Sequence, residues 1–174
     1  HVMCKLLAGV VVLAIVLCGA AIADGWNEVR VARAQTPGLV AAASEKYGTD
    51  VAFIDMTAER RDAFLKVKDP RFRSHKGVDL TTPGAGMTTI TQGPVKLLYF
   101  PGGFKPGIAK IRQTRIAAYA LDDLVSKNDQ FNLFLNAMSL GNVDGKPVHG
   151  LEAAAEETLM VVLRLITEAD PSRD

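Results

Sequence analysis

Residues Leu6 to Ala23 run for eighteen positions without a charge, led by Lys5 and closed by Asp24. That length is at the lower limit for a helix crossing a bilayer and longer than most signal-peptide cores. Lys5 on the leading side places the N-terminus in the cytoplasm and the body of the chain outside it. Ala21-Ile22-Ala23 would also serve as a small-x-small cleavage site, so a retained anchor and an excised signal segment both fit these residues. Leu17 directly before Cys18 is a poor match to a lipoprotein signal. Cys4 and Cys18, the two cysteines of the chain, both fall in this N-terminal stretch. The remainder therefore has no thiol for a disulfide or a zinc-type cluster.

With 174 residues the chain fits an anchor and one further domain, enough to bury a core. A formal net charge of +1 gives no whole-protein case for nucleic-acid binding. The organisation read from the sequence is an anchor or signal segment over 1–23, a juxtamembrane linker and lead-in over 24–57, and a helical domain over 58–174. In the linker, Arg30 and Arg33 either touch anionic head groups or are merely solvated. A short helix is expected from Pro37 to Tyr47, closed by Gly48. Thr57 is expected to cap a helix from Ala58 to Val67. Ile111, Ile116, Ala120 and Leu124 form an apolar stripe that predicts a helix from Ile108 to Leu124. Tyr99 to Gly107 reads as a turn-rich loop and Asn142 to Pro147 as a turn. A last apolar helix is expected from Leu159 to Ile166. Helical periods dominate and strand signals are few, which makes the fold class mainly α.

Two places suggest ligand chemistry. In Gly86-Met87-Thr88-Thr89-Ile90-Thr91-Gln92-Gly93-Pro94-Val95-Lys96, hydroxyls and an amide lie between a Gly/Pro turn and a lysine. The run is too polar for an interior strand and lacks the alternation of a surface one. It suits an N-capping segment opening a helix, or donors aimed at a ligand. Lys96 follows Thr89 by about two helical turns, so the two can share a face. The second place is the start of the helix at Ile108, with Lys105, Lys110, Arg112 and Arg115 on or just ahead of its first turns. Cations there oppose the helix macrodipole, and a bound anion would account for them; simple solvation is the alternative.

The first of these stretches resembles the central motif of the family 51 glycosyltransferases, the peptidoglycan transglycosylase domains of penicillin-binding proteins and monofunctional glycan polymerases. That motif reads roughly G-x-S-T-I-T-Q-Q-L-x-K-N. Here Thr88 stands for the serine, Gly93-Pro94 for Q-L and Leu97 for the asparagine. Lys68-Asp69 to Asp79 is similar to the block E-D-x-x-F-x-x-H-x-G-x-D, matched by Asp69, Phe72, His75, Gly77 and Asp79. Lys110 to Gln113 falls on K-x-x-E. Ser126-Lys127 to Asn136 is similar to S-K-x-E-I-L-E-x-Y-L-N, while Leu140-Gly141 and Gly150 to Ala155 follow like F-G and G-x-x-x-A-A. The resemblance covers about residues 58 to 156.

The resemblance implies a lysozyme-like helical transglycosylase domain behind a retained membrane helix, at the bacterial inner membrane and on its periplasmic side. It implies a lipid II-type lipid-pyrophosphate glycan as substrate, the membrane and cell-wall synthesis proteins as partners, and leaves a divalent metal (Mg or Mn) open as cofactor. It places substrate-binding roles on Asp69, His75, Thr88, Thr89, Gln92, Lys96, Lys110 and Arg112. The family's two catalytic glutamates fall on Lys68 and Gln113. A general base needs a lone pair at working pH, which a lysine offers only once its proton is shed, and a carboxamide can neither take a proton nor hold a metal as a carboxylate does. An attenuated polymerase and a non-catalytic binding or scaffold protein of the cell-wall machinery are both open. Asp62 and Asp79 are alternative bases, Phe100 and Phe104 are interfacial or packed inward, Phe131, Leu135 and Ala154 are core candidates, and Asn136 is expected to satisfy backbone groups.

Overall fold

The computed structural model describes residues 2–82, 88–143 and 145–156. The expected helix over Leu159 to Ile166 lies outside these, as do Gly84, Gly86 and Asp144. Helix α1 runs unbroken from Val2 to Tyr47, and at about 1.5 Å per residue its 46 residues reach about 70 Å. A bilayer's hydrocarbon core is about 30 Å thick, so this one helix can both span it and continue well beyond. Its apolar part has a mean hydropathy of 2.9 and is entirely unburied.

The sequence suggests a mixed linker after Asp24 and a separate helix from Pro37. The structure has neither break. Val29, Ala32, Thr36 and Ala43 are buried at three- and four-residue steps, with Leu39 and Val40 packed beside them. This narrow stripe of mostly small side chains lets α1 lie closely against its neighbours. Pro37 removes one backbone donor from the helix. Next to it the Thr36 hydroxyl bonds the Ala32 carbonyl at 2.8 Å and the Tyr99 hydroxyl at 2.6 Å, tying this turn to the core.

A short 3₁₀ turn (Phe53–Asp55) leads to α2 (Ala58–Lys68), whose first turn is capped by Thr57 accepting from the Arg60 amide. Helices α3 (Gln92–Tyr99), α4 (Ile108–Ile116), α5 (Asp122–Leu124) and α6 (Lys127–Ala137) follow. A π-helical segment, Ala117–Leu121, joins α4 to α5, so the expected helix to Leu124 is present with one widened turn. Ile116 and Ala120 of the expected stripe are buried, but Ile111, five residues before Ile116 and so on another face of α4, is exposed, as is Leu124, which lies past the widened turn that rotates the helix faces. An antiparallel hairpin, β1 (Ser139–Val143) with β2 (Lys146–His149), occupies the expected turn region. Gly145 takes a φ of 76° in its two-residue turn, the left-handed conformation such turns demand.

Two clusters make most of the core. Ala32 of α1, Val95 and Tyr99 of α3, and Ile116, Ala117, Ala120 and Leu121 form one. Phe72, Ile90, Phe131, Phe134 and Leu135 form the other, with Phe64 set edge-on to Phe131 at 5.4 Å. Phe131 and Leu135 are thus core residues as expected, while Ala154 is only half-buried. Asn136 satisfies backbone as expected: it accepts from the Val51 amide at 3.1 Å and donates to the Val51 carbonyl at 2.8 Å.

Gly77 takes a φ of 70° with its Cα against the start of the widened turn; a Cβ there would lie 2.4 Å from the Ala117 carbonyl oxygen. Neither the dihedral nor a rigid backbone atom can yield cheaply. Gly77→Ala is therefore expected to lose about 2–4 kcal/mol of stability, read as a lowered thermal midpoint by near-UV circular dichroism in detergent.

Candidate active site

The end of α2 delivers Lys68 and Asp69 to the same place in different environments. Asp69 leaves the helix with φ −160° and is 2% exposed. Its carboxylate accepts from the Ile90 amide at 2.9 Å and from His75 Nε2, 3.0 Å from both oxygens. Buried acceptors must be satisfied, and these contacts pin the exit of α2 to the segment ahead of α3. Asp69 and His75 therefore sit inside the wall of the site, turned to each other. His75 Nδ1 is buried without a hydrogen-bond partner.

The Thr-Ile-Thr-Gln stretch opens α3 as a capping segment. The Gln92 amide donates to Thr89 Oγ1 at 3.0 Å, and the Gln92 side chain returns to accept from the Thr89 amide at 3.2 Å. That reciprocal pair is a capping box, which satisfies donors a helix start leaves open. Thr89 and Gln92 are both 5% exposed, so they build the site without facing it. Thr89 also donates to the Gly77 carbonyl at 2.6 Å, and Gln92 Nε2 donates to Thr114 Oγ1 at 3.2 Å. Thr88 is the half-buried member of the stretch, and it accepts from Lys96 Nζ at 3.1 Å.

Lysines of three helices feel one another's charge, Lys68 acting on Lys96 and Lys96 on Lys110. Lys68 ends α2 with its Nζ 5.5 Å from the centre of the Phe134 ring, and Lys96 of α3 lies 5.0 Å from that of Phe104. Burial lowers the Lys96 ammonium's pKa from its ordinary value, and the nearby charge of Lys68 lowers it further. Burial likewise lowers that of Lys110 on α4, and the charge of Lys96 adds to the effect. Like charges held this close oppose one another, and an anion between them would reverse the sign of that interaction.

Gln113, one turn after Lys110 on the same face of α4, is fully buried. Its Nε2 donates to the Gln92 carbonyl at 2.7 Å, while its Oε1 is buried and has no hydrogen-bond partner. Arg112 departs from the sequence grouping. Two residues apart on a helix is about 200°, so Arg112 points away from Lys110 and pairs with Glu28 of α1 at 3.4 Å. Arg115, one turn on, meets the same carboxylate at 2.9 Å and lies over Gly25, where a Cβ would collide with its guanidinium. Phe100 is half-buried against the core, carries Arg112 on its face at 5.2 Å, and meets Phe104 edge-on at 5.2 Å. An open cavity of about 590 Å³ lies here, lined by Asp24, Glu28, Phe100, Lys105, Ile108 and Arg112 among others. Sequence reasoning missed Glu28 and Thr114, which carry no motif of their own, and gave Phe134 no role although it lies in the Ser126 to Asn136 block.

The chain's region 36–164 matches the family model described as transglycosylase. The chain belongs to the transglycosylase family. Its fold is the lysozyme-like helical one of that family, and its role is glycosyltransferase-like, within cell-wall synthesis. A search of curated proteins finds no match.

In this transglycosylase the residues at the site do not fit a divalent metal. Magnesium and manganese take hard, preferably anionic, oxygens. Lys68 and Gln113 offer an ammonium and an amide, neither of them an anionic oxygen. Among the described residues no three of His, Cys, Asp and Glu gather closely enough to hold an ion. Asp79, an alternative base, accepts from the Thr81 and Thr82 amides and hydroxyls. The Thr82 hydroxyl above all holds its carboxyl well below the usual range, which makes it a weak base.

Because the pKa values of Lys96 and Lys110 lie below that of an ordinary lysine until an anion binds, binding raises them again. Affinity for inorganic pyrophosphate is therefore expected to fall as pH climbs toward 10, with protons taken up on binding. Calorimetry at alkaline pH in two buffers of different ionisation enthalpy checks this. Uptake should approach zero at neutral pH and shrink in Lys96→Met.

Proposed function

We propose that this transglycosylase binds lipid II-type lipid-pyrophosphate glycan at the periplasmic face of the bacterial inner membrane, with its polymerising chemistry attenuated. The observation that carries the reading is Lys96, held by the Thr88 hydroxyl at 3.1 Å and over the Phe104 ring at 5.0 Å, with the charge of Lys68 felt at it and its own charge felt at Lys110. In the family's reaction a base takes the proton of the acceptor sugar's hydroxyl, which attacks the donor's anomeric carbon with inversion. The leaving group is a lipid pyrophosphate, and fixed cations stabilise the charge it develops. Lys96 and Lys110 supply that part. The proton-accepting part is what this chain lacks in family form, since Lys68 and Gln113 stand at the glutamate positions. Removing a general base costs about 10²–10⁴-fold in rate.

A second reading is a membrane-anchored binding or scaffold protein without catalysis, a pseudoenzyme docking onto cell-wall synthesis proteins. It is favoured by the way the nearby carboxylates are committed. Asp69 is closed by His75 and the Ile90 amide, and Asp79 by its threonines. The apolar part of α1 would serve as a retained anchor in either case, holding the domain where a lipid-linked substrate lies.

The two readings separate in one assay, lipid II polymerisation by the full chain in liposomes beside a Lys68→Glu/Gln113→Glu double variant, with precursor binding measured on both. Binding without polymer, and polymer from the double variant, is expected. Polymer from the unaltered chain at rates within tenfold of the double variant sinks attenuation and points to a different base. Absence of precursor binding in both proteins sinks the substrate assignment itself.

A further inference from the structure

We infer that this site holds the diphosphate of its ligand without a divalent metal ion, the ammoniums of Lys68, Lys96 and Lys110 together taking the ion's electrostatic role. The inference rests on the substrate class proposed above and adds to it how the charge is met. A divalent ion in such a site bridges phosphate oxygens to protein carboxylates. Here the protein side of that bridge is missing. At one family position stands Lys68, a cation that repels a second cation. At the other stands Gln113, whose amide nitrogen is taken by the Gln92 carbonyl, leaving one neutral oxygen. Asp69 has its oxygens occupied by His75 and the Ile90 amide, so it offers no replacement ligand.

What the chain has instead is positive charge from three helices, Lys68 of α2, Lys96 of α3 and Lys110 of α4. Lys68 and Lys96 rest against the rings of Phe134 and Phe104. A ring face attracts an ammonium weakly and leaves its charge intact for an incoming anion. Lys96 adds a neutral partner, the Thr88 hydroxyl. Lys110 sits on the first turn of α4, where the helix's own amides also favour negative charge. Lys68 is the member that matters most. It occupies a position where the family has a carboxylate, and its charge is felt at Lys96, so it extends the cationic surface rather than facing away from it.

The test is calorimetry with inorganic pyrophosphate on the full chain in detergent, once with a chelator and once with millimolar magnesium. The parent, Lys68→Met and Lys68→Glu are compared, each first checked for an unchanged thermal midpoint. The parent is expected to bind in chelator, with magnesium giving no increase in affinity. Lys68→Met should bind roughly ten- to hundredfold more weakly, the loss of one charged hydrogen-bonding partner. Lys68→Glu should lose binding in chelator and regain part of it with magnesium. Parent binding that appears only with magnesium overturns the inference while leaving the substrate class standing, as does Lys68→Met binding like the parent. A parent that binds neither pyrophosphate nor lipid-linked precursor in either condition overturns both.

Discussion

The contact on which the rest depends is the stripe of Val29, Ala32, Thr36 and Ala43 along α1. These side chains are small, so the helix axis comes close to α3, α4 and α6, and the core closes around a helix that begins as the long apolar segment. Burying small side chains contributes less area each than burying leucines, but close approach brings more backbone and neighbouring side chain into contact. The Thr36 hydroxyl, shared between the helix's own Ala32 carbonyl and Tyr99, puts a polar clasp in the middle of the stripe. Glu28 extends the same attachment outward by meeting both Arg112 and Arg115. Helix α4 is thus fixed to α1 by one face and presents Lys110 on another.

The site built on this frame is electrostatically uncomfortable when empty. Half-buried ammoniums are crowded against one another, and the polar groups around them are largely spent on holding the walls: Thr89 and Gln92 cap α3, Asp69 and His75 pin the end of α2. Stability is given up locally so that charge stands ready, a pattern common at sites that bind anions. The neutral Gln113 suits this arrangement, since a carboxylate there would offset part of the positive field. Lys68 contributes to that field, so a proton given up there would weaken it.

Much of the architecture was legible in the residues because it is local. The Thr89 to Gln92 cap, the Thr57 cap and the Asn136 backbone clasp follow from side-chain chemistry at fixed offsets. The α1 continuation was hidden by Pro37 and by the charges Asp24, Glu28, Arg30 and Arg33, which mask a stripe set at three- and four-residue steps. The hairpin escaped because Gly141 and Pro147 are poor strand formers, leaving only its turn visible. Arg112 was grouped with Lys110 by nearness in sequence, although helical geometry already separates their faces. The gathering of Lys68 with Lys96 was readable only through the family resemblance and not from the residues themselves. It depends on how α2 and α3 pack, and no spacing rule connects residues so far apart in the chain.

An unbroken α1 also means that no hinge separates its apolar part from the domain into which it packs. Where a flexible tether would let a domain bob and turn freely above the lipid, a continuous rod fixes its height and its azimuth. A membrane thinner than the apolar span is accommodated by tilting a helix. Here such a tilt would swing the whole domain with it, moving the lysines relative to the plane in which lipid head groups lie. With the apolar part of α1 in a bilayer, the bilayer's thickness would set the attitude of the whole domain without any change within it.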